Sequence, residues 1–373
     1  MTEGVKYFDY NATHPPFVDI LRKIQEEYFS NFYNPSGATR FSLTRQGKIE
    51  ETRSYLASLS GKNKSGFIFS STGTEANHFL IGHLKHSRYN TGKIYVSPFE
   101  HSSLYGALEI HNLEPILIPT DRSGLVDLNF LETSLNRDPH PVTVLAVANE
   151  TGIIQPYHEI WKMTETYGMP FLSDLMQAFG KIPIDYTYLD AFTFSGHKIG
   201  AGMGSAVTYI PEDWRSDFKL YIGGNQENGN RAGTENTMAI AALKEVSLLQ
   251  ESALTEKNSR LKSFQLKIES TLLENSALII GENSPRLPST SFALLPIDEV
   301  DFFMMGMEEK GIVVSTGSSC KSRVREPSMS LLNMGYSEEE ALKAIRISTG
   351  YFTDPIEIQC LIEEIPRTLK ALG

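Results

Sequence analysis

Seven short apolar runs dominate the first two-thirds of this chain, and few folds accommodate them. They lie at 67–70, 93–97, 115–119, 142–148, 170–173, 191–195 and 205–210. Most are continuously apolar rather than alternating in polarity, which marks strands buried on both faces. Helical spacing fits between many of them, at 74–85, 103–112, 128–135 and 157–167. Strands alternating with helices predict an α/β fold, with a seven-stranded, mostly parallel sheet covered by helices.

After residue 233 the pattern changes. Residues 236–275 are rich in Leu, Glu, Lys and Ala and predict one or two long helices. Strand-like runs follow at 277–280, 289–295 and 311–315, with helical patterns at 298–310, 337–343 and 355–372. Asp298 is placed to cap the first of these helices. These elements predict a second, smaller α+β domain. The expected division is a large α/β domain, residues 15–255, and a small domain of residues 1–14 and 256–373. At 373 residues, with 40% apolar residues and 28 Gly, the chain can bury a full core.

Charge and cysteine content exclude several function classes. Lys plus Arg is 34 against 45 Asp plus Glu, a net −11 with no basic run, so direct nucleic-acid binding is not expected. Cys320 and Cys360 make no disulfide framework. No apolar run approaches the ~18 residues of a membrane span. The N-terminus lacks the basic start and apolar core of a secretion signal. A cytoplasmic protein without membrane partners is the expectation.

In an open parallel sheet, ligands bind beyond the carboxyl ends of the strands. Chemistry is therefore expected just after each run. Ser71-Thr72-Gly73-Thr74 follows the first run and opens a helix. Free N–H groups there, with the hydroxyls and the helix dipole, suit a phosphate, although Thr72 or Thr74 could simply cap the helix. Asp174 ends an apolar strand. A protonated ring nitrogen would keep such an acid ionised; a salt bridge or a cap is the plainer reading. Lys198 closes Ser195-Gly196-His197-Lys198. A desolvated lysine has a lowered pKa and forms Schiff bases with aldehydes, whereas an exposed one would be only a surface charge. His101, after Glu100, could stack on a ring, move protons or cap a helix. Cys320 lies in a Ser/Gly-rich segment followed by Lys321, Arg323 and Arg325, cations that would lower a thiol pKa. Cys360 reads as a core or interface residue of the closing helix. Together, a phosphate cradle, a histidine, an acid and a Schiff-base lysine are the parts that hold pyridoxal 5'-phosphate (PLP).

Further along, the sequence resembles the cysteine desulfurases of the class V aminotransferase family, in the group with a compact cysteine loop. The resemblance covers nearly the whole chain. It is carried by Phe8-Asp9-Tyr10-Asn11-Ala12-Thr13, Asn34-Pro35-Ser36, Glu100-His101, Asn149-Glu150-Thr151-Gly152 and Asp174-Leu175-Met176-Gln177. Ser195-Gly196-His197-Lys198, Gly223-Gly224-Asn225-Gln226-Glu227 and Arg231-Ala232-Gly233-Thr234-Glu235-Asn236 follow in order. Last come Ser315-Thr316-Gly317-Ser318-Ser319-Cys320, Glu326-Pro327-Ser328 and Ile345-Arg346-Ile347-Ser348.

The resemblance implies a PLP-dependent transferase of fold type I and a role for each matching residue. Lys198 would carry the cofactor, His101 would stack on its ring, Asp174 would pair with the ring nitrogen and Gln177 would hydrogen-bond the phenolic oxygen. Gly73, Thr74, Ser195 and His197 would bind the phosphate. Thr234 would reach the phosphate of a neighbouring subunit, implying a homodimer with shared sites. Asn149 and Arg346 would hold the carboxylate of L-cysteine. Lys198, with His101 as candidate partner, would move the α-proton. Cys320 would then take the sulfur as a persulfide, L-alanine would leave, and a sulfur-acceptor protein would serve iron–sulfur cluster assembly or thiolation. The small domain would carry the cysteine loop and Arg346.

Three departures stand out. Thr72 replaces the small residue usual in the phosphate turn. Asn77-His78 stands for Asp-Asn. Gly200-Ala201-Gly202-Met203-Gly204 replaces a Gly-Pro turn. The sequence reaches Gly373 soon after its last helical pattern, without the long tail that contacts a scaffold protein in relatives, so the acceptor stays open. The alternatives are another class V PLP enzyme, such as a cysteine or selenocysteine lyase or an aminotransferase, and a non-catalytic subunit.

Overall fold

The structure, a computed structural model, describes residues 4–214, 216–316 and 326–372. The strands are β1 (Lys6–Tyr7), β2 (Phe67–Ser70), β3 (Lys93–Val96), β4 (Glu114–Leu117), β5 (Val142–Thr143), β6 (Phe171–Asp174), β7 (Ala191–Ser195), β8 (Ala206–Tyr209), β9 (Leu278–Ile279), β10 (Thr290–Leu294), β11 (Ile312–Val313) and β12 (Ala344–Ser348). The helices are α1 (Val18–Ser30), α2 (Arg40–Ser60), α3 (Gly73–His86), α4 (Ser102–Ile110), α5 (Leu128–Arg137), α6 (Tyr157–Thr166), α7 (Thr237–Ser252), α8 (Leu254–Glu274), α9 (Val300–Glu309), α10 (Met329–Asn333), α11 (Glu338–Leu342) and α12 (Pro355–Leu372).

The seven expected runs form one seven-stranded sheet in the order β2-β8-β7-β6-β5-β3-β4. Only β8 runs against its neighbours; the other pairings are parallel. Every residue of β2, β6, β7 and β8 is buried, because helices cover both faces. The run at 142–148 pairs regularly only at β5. It then continues through single bonds, Val144 N–H to Leu172 O at 3.2 Å and Ala146 N–H to Asp174 O at 3.0 Å. From β3 the sheet grows outward to β4 on one side and through β5, β6 and β7 on the other. The order therefore reverses between β3 and β5, and a crevice opens there beyond the carboxyl ends.

Under the sheet, Phe192 stacks on Tyr209, with ring centroids 5.1 Å apart, while Phe179 and Phe194 stack at 3.8 Å. Phe192 is fully buried. Phe192→Ala should cost about 3–5 kcal/mol of stability. Urea denaturation checks this: the midpoint falls with an unchanged slope, and a loss below about 1 kcal/mol would contradict the packing.

A second core gathers Phe8, Phe264, Phe303, Ile345 and Leu361. Here β9, β10 and β12 form an antiparallel sheet, with β10 in the centre, and β1 pairs in parallel with β11. The pair α7 and α8 fills the expected long helical stretch. Asp298 does not cap α9. The residue before that helix is Glu299, which makes no side-chain cap, and the Asp298 carboxylate instead pairs with Lys343 at 2.9 Å. Five elements have no counterpart in the runs and helical patterns read from sequence: β1, α1, α2, α10 and β12. The inward face of α2 mixes Ile49 and Leu56 with Ser42, Arg45, Thr52 and Arg53, so polarity conceals it.

Candidate active site

A cavity of about 280 Å³ lies at the reversal of strand order. Of the residues singled out from sequence, it is lined by Gly73, Thr74, His101, Asn149, Asp174, Gln177, His197 and Lys198. Its volume is near the lower end for small-molecule sites.

The cradle is the start of α3. Thr72 caps that helix, its hydroxyl accepting from Glu75 N–H at 3.1 Å. By helix geometry the N–H groups of Gly73 and Thr74 then have no partner inside α3. Glu75 braces the turn, accepting from Ser71 N–H at 2.8 Å and from Arg231 Nε at 2.8 Å. Arg231 also donates to the Ser71 hydroxyl at 2.9 Å. A Cβ on Gly73 would come within 2.6 Å of the Met176 methyl, so the cradle floor closes only with glycine there or a displaced methionine.

Asp174 sits at the floor, 8% exposed. Its carboxylate accepts from Asn77 Nδ2 at 3.1 Å and from Met176 N–H at 2.7 Å. Burial pushes its pKa up, while these donors and the nearby His101 and Lys198 oppose the rise. Asn77 is fixed in turn by Thr193, whose hydroxyl donates to its oxygen at 2.7 Å. Glu100 lies behind, accepting from Leu145 N–H at 2.6 Å. Burial, with Asp174 adding to it, raises the Glu100 pKa well above its ordinary value. His101 both caps α4 and lines the cavity: its Nδ1 accepts from Ser103 N–H at 3.1 Å. That bond places the proton of a neutral ring on Nε2.

Lys198 enters from the turn after β7. Its Nζ donates to the carbonyls of Asn11 and Ala12, at 2.8 and 2.9 Å. Burial, then Arg346, lowers its pKa to about 8. His197 is lowered to about 4 by burial, Lys198 and Lys181, so its ring is neutral at pH 7. The glycine-rich turn that follows has a structural cause. Gly200 takes φ +93°, and a Cβ there would lie 2.6 Å from the His14 ring and 2.8 Å from Phe17. The N-terminal segment thus packs directly on this backbone, with Phe17 N–H bonded to Gly200 O at 3.0 Å.

Arg346 lies beside the cavity rather than in its lining. It donates to Asn149 O at 3.0 Å and to Asp9 at 2.7 Å, and its buried Nε has no partner among the described residues. Ser195 donates its hydroxyl to Ser205 O at 3.1 Å and lies outside the lining. Thr234 is exposed and away from the cavity. Cys360 is half-buried in α12. Cys320 lies outside the described residues.

Sequence reasoning gave no role to Asn11, Asn77, Met176 or Lys181. The first three lie within or beside the matching motifs, but they are uncharged, and residue type alone assigns them no task. Lys181 did carry a signal, a lone lysine in the apolar stretch 178–184, by the same logic that singles out Lys198.

The sheet order, the crevice and the second core define an α/β protein, and its solved neighbours give it fold type I. The NifS-like protein from Rickettsia africae superposes with a TM-score of 0.88 at 31% identity, over 98% of this chain and 99% of that one. The structure of SspA in complex with cysteine gives a TM-score of 0.80 at 27% identity, over 94% and 100%. Residues 6–361 match the sequence pattern of the aminotransferase class-V family, and the chain belongs to that family of PLP-dependent enzymes. It is 32% identical to a cysteine desulfurase from Nostoc sp. (strain PCC 7120) over 99% of its own length and 94% of the relative's. Among the described residues, no helix is long and apolar enough to cross a membrane.

Proposed function

We propose that this chain binds PLP in the cavity and acts as a cysteine desulfurase, converting L-cysteine to L-alanine and receiving the sulfur on Cys320 as a persulfide. The donor set fits the group. A buried acid whose protein partners are the neutral N–H donors of Asn77 and Met176 suits a cationic ring nitrogen, and the helix start offers free N–H groups to a phosphate. When bound, PLP supplies an electron sink for charge developing beside the amino group.

The chain's own residues supply the rest. Lys198 would anchor the cofactor and move the α-proton, with His101 above the ring. Gln177 would hydrogen-bond the phenolic oxygen. Gly73, Thr74, Ser195 and the neutral His197 would hold the phosphate. Asn149 and Arg346 would orient the substrate carboxylate, which would compete with Asp9 for the guanidinium. The exposure of Thr234 suits contact with a second copy, and we assign it to the phosphate of a partner in a homodimer. We keep the division into a large domain of residues 15–255 and a small one of residues 1–14 and 256–373, a cytoplasmic site of action and transfer to a sulfur-acceptor protein.

The observation that carries this reading is Lys198, an amine with a depressed pKa at the same cavity as the buried Asp174. Free amine is the nucleophile toward an aldehyde. With a pKa of about 8, roughly a tenth of Lys198 is free at pH 7, against well under a thousandth for an ordinary lysine. Cofactor loading of the apo chain should therefore accelerate about tenfold per pH unit up to pH ~8 and then level off. Stopped-flow absorbance between pH 6 and 10 checks this; a rate still climbing at pH 10 would contradict it.

The function itself is tested by incubating the loaded protein with L-cysteine and an added dithiol, which reduces the persulfide and releases its outer sulfur as sulfide, and quantifying alanine and sulfide beside Cys320→Ser. The wild type should yield both. The variant should keep the cofactor and form no persulfide. Undiminished sulfide from the variant would point to a direct lyase instead.

A further inference from the structure

Two further buried or half-buried lysines, Lys181 and Lys257, lie close to Lys198. Lys198 lies on the Asn11 and Ala12 carbonyls of the N-terminal segment. Lys257 donates to Gly180 O at 2.7 Å and to Gln250 at 2.6 Å. Lys181 takes no part in the mechanism proposed so far and does not line the cavity. Its Nζ lies 2.5 Å from Gln177 Oε1 and 3.5 Å from Asn11 Oδ1.

Gln177 is 3% exposed and faces the cavity. The two ends of a carboxamide are alike in shape, so only hydrogen bonds decide which end points where. Here the oxygen end accepts from Lys181, and the nitrogen end donates one N–H to Asn11 O at 2.8 Å. The second N–H remains for the cavity. Reversing the amide would set its oxygen against the Asn11 carbonyl, acceptor facing acceptor, and its NH2 against the lysine N–H donors.

We propose that Lys181 is a positioning residue that locks the Gln177 carboxamide with its NH2 end toward the cavity, where the phenolic oxygen of the cofactor would sit. This rests on the PLP reading above. A lysine suits the task because its long stem reaches from behind without occupying the site. The charged and titratable groups facing it are Lys198, Lys257, Arg346 and Asp9, with His14 and His197 also within range. Burial and the three cations push the amine far below the usual lysine range, with Asp9 opposing. The charged amine can only donate and holds the oxygen end strictly; an uncharged amine can also accept, and the Asn11 carbonyl then keeps the nitrogen end in place.

The test reads the pH midpoint of the absorbance band of the cofactor-loaded protein. A hydrogen bond to the phenolic oxygen favours the form with more negative charge there, which lowers the midpoint. Gln177→Ala should raise it by about one unit or more. Lys181→Met should raise it in the same direction. The double variant should match Gln177→Ala alone, because the lysine acts through the glutamine. A Lys181→Met midpoint within about 0.3 unit of wild type, or shifts that add in the double variant, would overturn the proposal. Should the methionine variant not fold, Lys181→Gln keeps an N–H donor. An unmoved midpoint then supports the lock, and a shift as large as that of Gln177→Ala overturns it. A wild-type protein with no such band would overturn both this proposal and the PLP reading; a band present but insensitive to Lys181 overturns this proposal alone.

Discussion

Lys198→Ala should yield a folded protein whose turnover of L-cysteine is lower by at least about 10⁴, the upper end of what a single acid–base group contributes. The reason is that this side chain has two tasks in the proposed reaction, holding the cofactor and moving the α-proton. The substitution also releases the Asn11 and Ala12 carbonyls, which sit in a strap otherwise tied down by Asn11 N–H to Ser348 Oγ at 3.0 Å and by Asn11 Nδ2 to Thr290 at 3.0 Å. The fold should therefore survive. Circular dichroism and steady-state assays on the same preparation separate the two effects. Activity within tenfold of wild type in a folded variant would remove Lys198 from the reaction.

Asp174→Ala has the second-largest expected effect. The structure places this acid on the cavity floor, disfavoured in its charged form by burial and held by two neutral donors. Such an arrangement costs stability unless a positive partner arrives. If that partner is the ring nitrogen, removing the carboxylate removes an interaction that strengthens as charge builds on the ring. The expected signature is a fall in both kcat and kcat/KM of about 10²–10³, with KM little changed and the cofactor band retained. A variant that loses the band but not the rate per bound cofactor would contradict this role.

Much of the sheet was legible because its strands are buried on both faces. Runs such as Phe171-Leu172-Ser173 and Ala191-Phe192-Thr193-Phe194 carry that burial in their composition. The strand β12 was not legible, because Arg346 interrupts its apolar run; the arginine is buried there with Asp9, the Asn149 carbonyl and the Ser315 hydroxyl as partners, all distant in sequence. The Asp298 cap failed for a related reason, since Lys343 competes for the same carboxylate. At the site, titratable residues at strand ends could be found because chemistry restricts which residue types serve. Asn11 and Asn77 could not. The Asn77 amide matters through its place between Asp174 and Thr193, and Asn11 through the backbone carbonyl it offers Lys198; neither has a composition signal. His101 shows that two readings of one residue can coexist, because the ring caps α4 through Nδ1 and still lines the cavity. Thr72, set apart as a departure from the family turn, proves to be the cap of α3.

In the proposed reaction one particular amine, that of Lys198, holds the cofactor aldehyde. Borohydride reduction of the PLP-loaded protein, followed by proteolysis and mass mapping, tests it directly, because reduction fixes the pyridoxyl group on whichever nitrogen carried it. A single labelled peptide is expected, with the modification on Lys198. A label on Lys181 or Lys257, the other two amines of the cluster, or no label at all, would contradict it.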